Sequence, residues 1–437
     1  MPLIVIAMGL LTAANRWLGK SLLYPPALFA LVWTVSLLLL SISGSLFYHV
    51  GIDTLLWYLW GACAFSTGGA VAWLVSSTFA SHPRRGPANA SSHRQRAIDR
   101  LLNWLLLVLV LVFPIYIYWM IQLAAESSKE SFLWAVQLQL RGYKADEGAS
   151  HVSILDNFAV FSILVAIVCQ KESDGTWQRR LRTGAAVLLA LGYNLVRGER
   201  TAAVMLLISL VGISWLRAGR IKWKQLALMA TLFIFVFSFI GITLQKGYVS
   251  NEASLSENFQ PLVESFQLYA VGSIVAFDDV FHHPGRIPPV WKWNRVFLQA
   301  ANKLGANYYV PSLNAEYVDV GPEMFMNTYT MYFAYFPDFG LLGTSLIITL
   351  LGSAVTFAYL AADRGDPQAQ VLFSILLSGI LLSGSSEQFL LALNFLAKAL
   401  LFTFVVYGWR GLEGFLGLGR TPVAKNMGEL VKEHWSR

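Results

Sequence analysis

The sequence predicts an all-α polytopic membrane protein of about eleven transmembrane helices with one large loop domain on its outer side. Three observations lead there. The 437-residue chain is 56% hydrophobic and only 13% charged, where a soluble domain carries roughly 25% charged residues; its mean hydropathy is +0.55. Its apolar residues fall in many separate runs, each near the ~20 residues that cross a bilayer as a helix, which argues against a barrel. Lys and Arg alternate from loop to loop.

The predicted spans are 3–15, 26–43, 54–77, 101–121, 155–170, 183–196, 201–216, 225–245, 337–360, 369–384 and 389–408. MPLIVIAMGLLTAA lacks a basic leading region, so it reads as a first, short span and not as a cleaved signal. The connections 16–25, 79–100, 171–182, 217–224, 362–368 and 409–437 hold twenty-one Lys and Arg, against five on the short connections opposite. By the positive-inside rule the basic side is cytoplasmic, the amino terminus faces out and the carboxyl terminus in. The expected location is the bacterial inner membrane. The pI near 9.3 follows from topology, not from nucleic acid, and SHPRRGPANASSHRQR (81–96) is a topology determinant. Asn89 of the Asn-Ala-Ser sequon then lies inside. Cys63 and Cys169 fall in apolar runs and read as core filler, not as a disulfide or metal pair.

Four regions result: membrane spans over 1–245, an outer loop domain over 246–336, three further spans over 337–409, and a cytoplasmic tail over 410–437. The outer loop is too long for an idle linker. In it, Val263, Phe266, Ala270, Ile274, Phe277 and Phe281 recur at three- or four-residue spacing, the pattern of an amphipathic helix that lies on the membrane surface or caps a cavity.

LVRGERTA (195–202) concentrates charge between two apolar runs. The run 184–196 has thirteen residues, about 20 Å at 1.5 Å per residue, and unusually short spans point to a binding site. Arg200 opens a helix, where the macrodipole is already positive. Such an end with arginine suits phosphate oxygens, which Arg binds bidentately, and Arg197 can share that face. The alternative is an internal salt bridge through Glu199, with Arg197 closing the preceding helix. Lys246 ends the eighth span at the outer face. Lys398 lies mid-span, where a charge is expensive, with Glu387 as a candidate partner.

GPEMFMNTYTMYFAYFPDFGLLG (321–343) resembles a stretch of the O-antigen polymerases (Wzy) and related repeat-unit polymerases, in which an Asn-x-Tyr-Thr-like element precedes Asp-Phe-Gly. The matching residues are Asn327, Thr328, Tyr329, Thr330, Asp338, Phe339 and Gly340. The Gly-x-Arg element at 198–200, GSIVAFDDV (272–280) and YPPALFALVW (24–33) add to the likeness. The resemblance implies a lipid-dependent (GT-C-like) glycosyltransferase fold and an undecaprenyl-diphosphate-linked glycan as both donor and acceptor. It also implies a chain-length regulator protein as partner and an active site facing the periplasm.

A lipid-diphosphate donor is already activated, so no cofactor is expected. The chain holds no Walker motif and no Asp-x-Asp, and Asp278 and Asp279, being adjacent, diverge on a helix. Arg197, Arg200 and Lys246 are placed to stabilise the leaving diphosphate. Candidate bases are Glu199, Glu316, Glu323, Asp338 and the pair His282/His283. Alternatively Asp338 caps the ninth span, the glutamates are solvated, and the histidines are interfacial. Trp291, Trp293, Tyr308, Tyr309, Tyr329 and Tyr332 suit either sugar stacking or an interfacial belt. An O-antigen ligase would share the arginines but centre on a His-containing loop. A flippase or transporter would show evenly long spans and short outer loops.

Overall fold

The computed structural model describes residues 1–43, 46–79, 92–125, 136, 150–173, 176–198, 200–219, 259–283, 294–310, 317–322 and 324–408, with single positions between 227 and 238. Most of these residues are helical. In order the helices are α1 (Pro2–Gly19), α2 (Pro25–Ile42), α3 (Ile52–Phe79), α4 (Ser92–Ala125), α5 (Ser150–Lys171), α6 (Trp177–Val196) and α7 (Arg200–Ala218). After them come α8 (Phe259–Gln267), a π-helical turn (Leu268–Gly272), α9 (Ser273–His282) and α10 (Arg295–Lys303). A short antiparallel pair, β1 (Val318–Gly321) and β2 (Met324–Met326), leads to a 3-10 turn (Met331–Ala334). The chain ends in α11 (Phe336–Asp363), α12 (Pro367–Leu381) and α13 (Leu393–Tyr407).

Among the described residues, six helices are long and apolar enough to cross a membrane: Pro2–Gly19, Pro25–Ile42, Ile52–Thr78, Gln95–Ala125, Thr201–Ala218 and Phe336–Asp363. Three shorter apolar helices cover Asn157–Lys171, Pro367–Leu381 and Leu393–Tyr407. The expected span 183–196 lies inside α6, which begins earlier. Thr176 caps it by accepting the Arg179 N–H at 3.4 Å, so the polar WQRRLR stretch is helical and not a loop. Of the expected span 225–245, only single positions between 227 and 238 are described.

Two apolar cores share one helix. The first is built by α1, α2, α3, α9, α11 and α12, the second by α4, α5, α6, α7, α12 and α13. On α12, Phe373 and Leu377 face the first core while Leu372 and Ile375 face the second, and eleven of its fifteen residues are buried. That all-round burial fits its composition of Leu, Ile, Ser and Gly, apolar or small on every face. The α3–α11 crossing is close because it is made of small residues: a Cβ on Gly68 would collide with the Thr349 carbonyl oxygen, and one on Gly352 with that of Phe65. Ser353 Oγ bridges the gap to the Gly68 carbonyl at 2.8 Å. Small residues that let backbones approach are the usual route to helix packing in lipid.

Two expectations change here. Cys63 is exposed on α3, not core, whereas Cys169 is buried; both are free thiols. The segment 259–282 is helical throughout, running through the π turn with Gln267, Gly272 and Ser273 in αR geometry. It does not lie on a surface along its whole length: Ile274, Val275, Phe277 and Val280 of α9 are buried in the first core, so apolar packing draws this half into the bundle.

Polar contacts sort the connections onto two ends. At one end Asp99 binds Arg179 (2.6 Å) and Arg182 (2.8 Å), and Glu172 accepts from Gln95 (3.0 Å) and Tyr407 (2.9 Å). There too, Arg217 donates to the Gln170 carbonyl at 2.7 Å. These are the segments with the excess of Lys and Arg. At the other end Tyr48 N–H donates to the Val320 carbonyl (2.9 Å) and Met331 N–H to that of Ser383 (2.9 Å). Ser273 Oγ donates to the Gly384 carbonyl at 2.6 Å. The grouping is the one the alternation of charge predicts.

Candidate functional site

The second end holds the candidate site, and its floor is the turn between α12 and α13. Each of these helices has fifteen residues, about 22 Å at 1.5 Å per residue, short of a bilayer core of about 30 Å. The turn 382–392 thus joins two helices much shorter than α3 and α11, twenty-eight residues each. Irregular backbone among apolar helices survives only where its polar groups are satisfied within the protein. Here Ser383 and Gly384 offer their carbonyls to Met331 and Ser273. Glu387 completes the accounting. Its Oε1 accepts from the N–H groups of Phe389 (2.6 Å) and Leu390 (2.9 Å), and its Oε2 from Leu391 (2.7 Å). The carboxylate is 3% exposed, and burial raises its pKa above the ordinary carboxylate value in spite of these donors. The buried Tyr335 hydroxyl faces it.

The stretch 327–340 lies over this floor. Tyr329 and Thr330 are buried, Asn327 is half-buried, and Tyr329 stacks on Phe333 with ring centroids 4.0 Å apart. The N-cap position is Tyr335, Asp338 lies in the first turn, and the helix breaks two residues later at Gly340, with φ 60° and ψ −163°. That conformation is open essentially to glycine alone, which accounts for Gly340 in the Asp-Phe-Gly element. The structure thus brings Asn327, Tyr329, Thr330, Asp338 and Glu387 to one end, joined through the Met331–Ser383 hydrogen bond.

Other expected members stand apart. Lys398 donates to Asn157 Oδ1 of α5 at 2.6 Å and not to Glu387, whose oxygens are engaged by the following backbone. Arg197 is 5% exposed at the C-cap of α6, where Gly198 adopts φ +69°. The recess expected at RGER is not formed by a short helix: α6 has twenty residues and α7 nineteen. The short pair is α12 and α13 instead. Tyr332 is fully buried among Trp33, Trp57 and Tyr58 and is core, whereas Tyr308 and Tyr309 are exposed. Glu199, Lys246, Glu316, Glu323, Trp291, Trp293 and the Arg200 side chain lie outside the described residues.

The pairing of His282 and His283 with Asp278 and Asp279 went unread in the sequence. Asp278 of α9 reaches the start of α3: its Oδ1 accepts from Gly51 N–H (3.1 Å) and Thr54 Oγ1 (2.5 Å). His282 Nδ1 lies 3.3 Å from the same oxygen and 3.0 Å from the Asp278 carbonyl. Asp279 and His283 repeat the pairing at 3.4 Å. The signal was present in DDVFHH (278–283), where each Asp precedes a His by four residues, the spacing that meets on a helix. Phe281 stacks on Phe336 at 5.3 Å, two residues before Asp338, so this cluster adjoins the Asp-Phe-Gly element.

Comparison of the chain with protein-family models, with curated proteins and with solved structures finds no match in any of the three.

Proposed function

We propose that this protein polymerises undecaprenyl-diphosphate-linked oligosaccharide repeat units at the periplasmic face of the bacterial inner membrane. The observation that carries the reading is the meeting, at one end of a helical membrane protein, of the Asn-Thr-Tyr-Thr and Asp-Phe-Gly elements over the α12–α13 turn. A carboxylate-anchored floor roofed by a folded extramembrane segment suits a donor that stays in the bilayer while its sugars lie above it. In this reading an acceptor hydroxyl attacks the anomeric carbon and the lipid diphosphate departs. Arg200 and Arg197 supply fixed positive charge to the leaving group, as does Lys246, without a metal. Asn327, Tyr329, Thr330 and Lys398 belong to the substrate side, and Asp338, Glu199 and Glu323 to the reacting centre. The reading assigns a chain-length regulator protein as partner.

A second reading is the O-antigen ligase, and the Asp-paired histidines of α9 favour it. One gel separates the two. Deleting the gene should collapse the host's lipopolysaccharide ladder to a single repeat. Loss of every repeat from lipid A would show a ligase, and accumulation of unflipped precursor a transporter.

A further inference from the structure

We propose that His282 is the general base of this reaction and that Asp278 orients it; the assignment rests on the polymerase reading above. Both acceptors within reach of His282 Nδ1, the Asp278 carbonyl and its Oδ1, can only accept. Nδ1 therefore carries the hydrogen of the neutral ring, and the lone pair lies on Nε2. Asp278 cannot swing away, because Gly51 N–H and Thr54 Oγ1 hold the same oxygen from another helix, and Thr54 is fully buried. The imidazole is thus fixed by a carboxylate that is itself fixed, the preorganisation a catalytic base requires.

Gly51 sets the space in front of the ring. A Cβ there would lie 2.7 Å from His282 Cε1 and 3.1 Å from Nε2, against the edge that has to meet a substrate. Its absence keeps that edge open, and the His282 side chain is 40% exposed. His283 is 66% exposed; the geometry selects His282 because its carboxylate, Asp278, is held by Gly51 and Thr54.

In the step, the acceptor hydroxyl transfers its proton to Nε2 as its oxygen bonds the anomeric carbon. The bond from that carbon to the diphosphate oxygen breaks, and the electron pair leaves with undecaprenyl diphosphate. The imidazolium then returns its proton to water. Nothing is oxidised or reduced.

The test uses the full chain purified in detergent and the host's own undecaprenyl-diphosphate-linked repeat unit, extracted from a strain lacking this gene. His282→Ala should lower kcat by about 10²–10⁴-fold, with added imidazole restoring part of it, while His283→Ala stays within about threefold, the proposal giving it no part in proton transfer. Asp278→Asn keeps an oxygen for Gly51 and Thr54, so a purely structural Asp278 predicts wild-type turnover; the proposal predicts a kcat loss of tenfold or more at unchanged KM. Gly51→Ala should likewise lower kcat, because its methyl would stand 2.7 Å from His282 Cε1 and displace the ring from its set position. Elongation by wild type with His282→Ala within threefold of it would overturn the base assignment alone. No elongation by wild type would bring down the polymerase reading together with the assignment.

Discussion

Met331 and Ser383 are joined by a 2.9 Å hydrogen bond from the N–H of one to the carbonyl of the other. That bond ties the 3-10 turn before α11 to the turn between the two fifteen-residue helices α12 and α13. The turn depends on Glu387 for three further backbone bonds. Glu387→Ala would leave three N–H donors unmatched, that of buried Phe389 and those of half-buried Leu390 and Leu391, where a fully buried group costs about 1–3 kcal/mol. Glu387→Gln replaces one acceptor oxygen by a donor and should cost less. Thermal unfolding of the solubilised protein should rank wild type above Gln above Ala. An Ala variant melting with wild type would show that the turn is held elsewhere.

The α3–α11 crossing gives a steric prediction. Gly68→Ala and Gly352→Ala each set a methyl against backbone carbonyl oxygen, which cannot rotate away, so the helices must separate. Overpacking of this kind typically costs about 1–3 kcal/mol, and membrane abundance should fall. Gly184 on α6 has nothing within 4 Å of its Cβ position, so Gly184→Ala should be neutral or gain about 0.5–1 kcal/mol. Equal behaviour of Gly68→Ala and Gly184→Ala would refute the close crossing.

Hydropathy and charge alternation were enough to place α2, α3, α7 and α11 within a few residues, because a long apolar run has one stable arrangement in lipid. They failed at α6. WQRRLR reads as a loop by composition, yet Arg179 and Arg182 both pair with Asp99, eighty or more residues away in sequence, and no local pattern carries that partner. The recess was sought at RGER for the same reason: the length of α6 was underestimated. Asp338 could be singled out by motif, but its place two residues before a glycine break needed the backbone angles of Gly340. Asp278 was visible only as half of an i, i+4 pair; its lock on Thr54 is a contact across 224 residues.

Glu172 should govern part of the acid response. Burial raises its pKa, but the charge of Lys171 and hydrogen bonds from Gln95, Tyr407 and Lys171 outweigh burial, and the carboxyl is held below its ordinary value of 4.5. A depressed folded value means that its stabilisation is complete above the unfolded pKa and is lost as pH falls through the folded one. Melting temperatures taken from neutral pH to below pH 4.5 should therefore converge for wild type and Glu172→Gln at the acid end and diverge at neutral pH, with wild type higher. Parallel curves would remove Glu172 from the acid response.

Sidedness is tested by labelling. With Cys63 changed to Ser, Tyr309→Cys places a thiol on a position 80% exposed, and Gln178→Cys places one on the exposed start of α6. A membrane-impermeant maleimide should modify Cys at 309 in intact spheroplasts and Cys at 178 only after permeabilisation. The reverse pattern would invert the protein and remove the periplasmic active site with it.

The arginines of RGER should separate by environment. Arg197 is buried where α6 ends, at 5% exposure, so Arg197→Ala should lower abundance, as most truncations of buried groups do. Arg200 is the first residue of α7, where the helix dipole already favours anions. Arg200→Ala should leave abundance unchanged or higher and still collapse the ladder to single repeats, since losing one preorganised donor costs about 10²–10³ in rate. Arg200→Lys should recover the ladder only in part, because a point charge does not reproduce the bidentate fork. A structural bridge to Glu199 predicts otherwise: Arg200→Ala and Glu199→Ala would each lower abundance, and the double variant would restore it. Restoration of both protein and ladder in that double variant would show that Arg200 serves the fold and not the diphosphate.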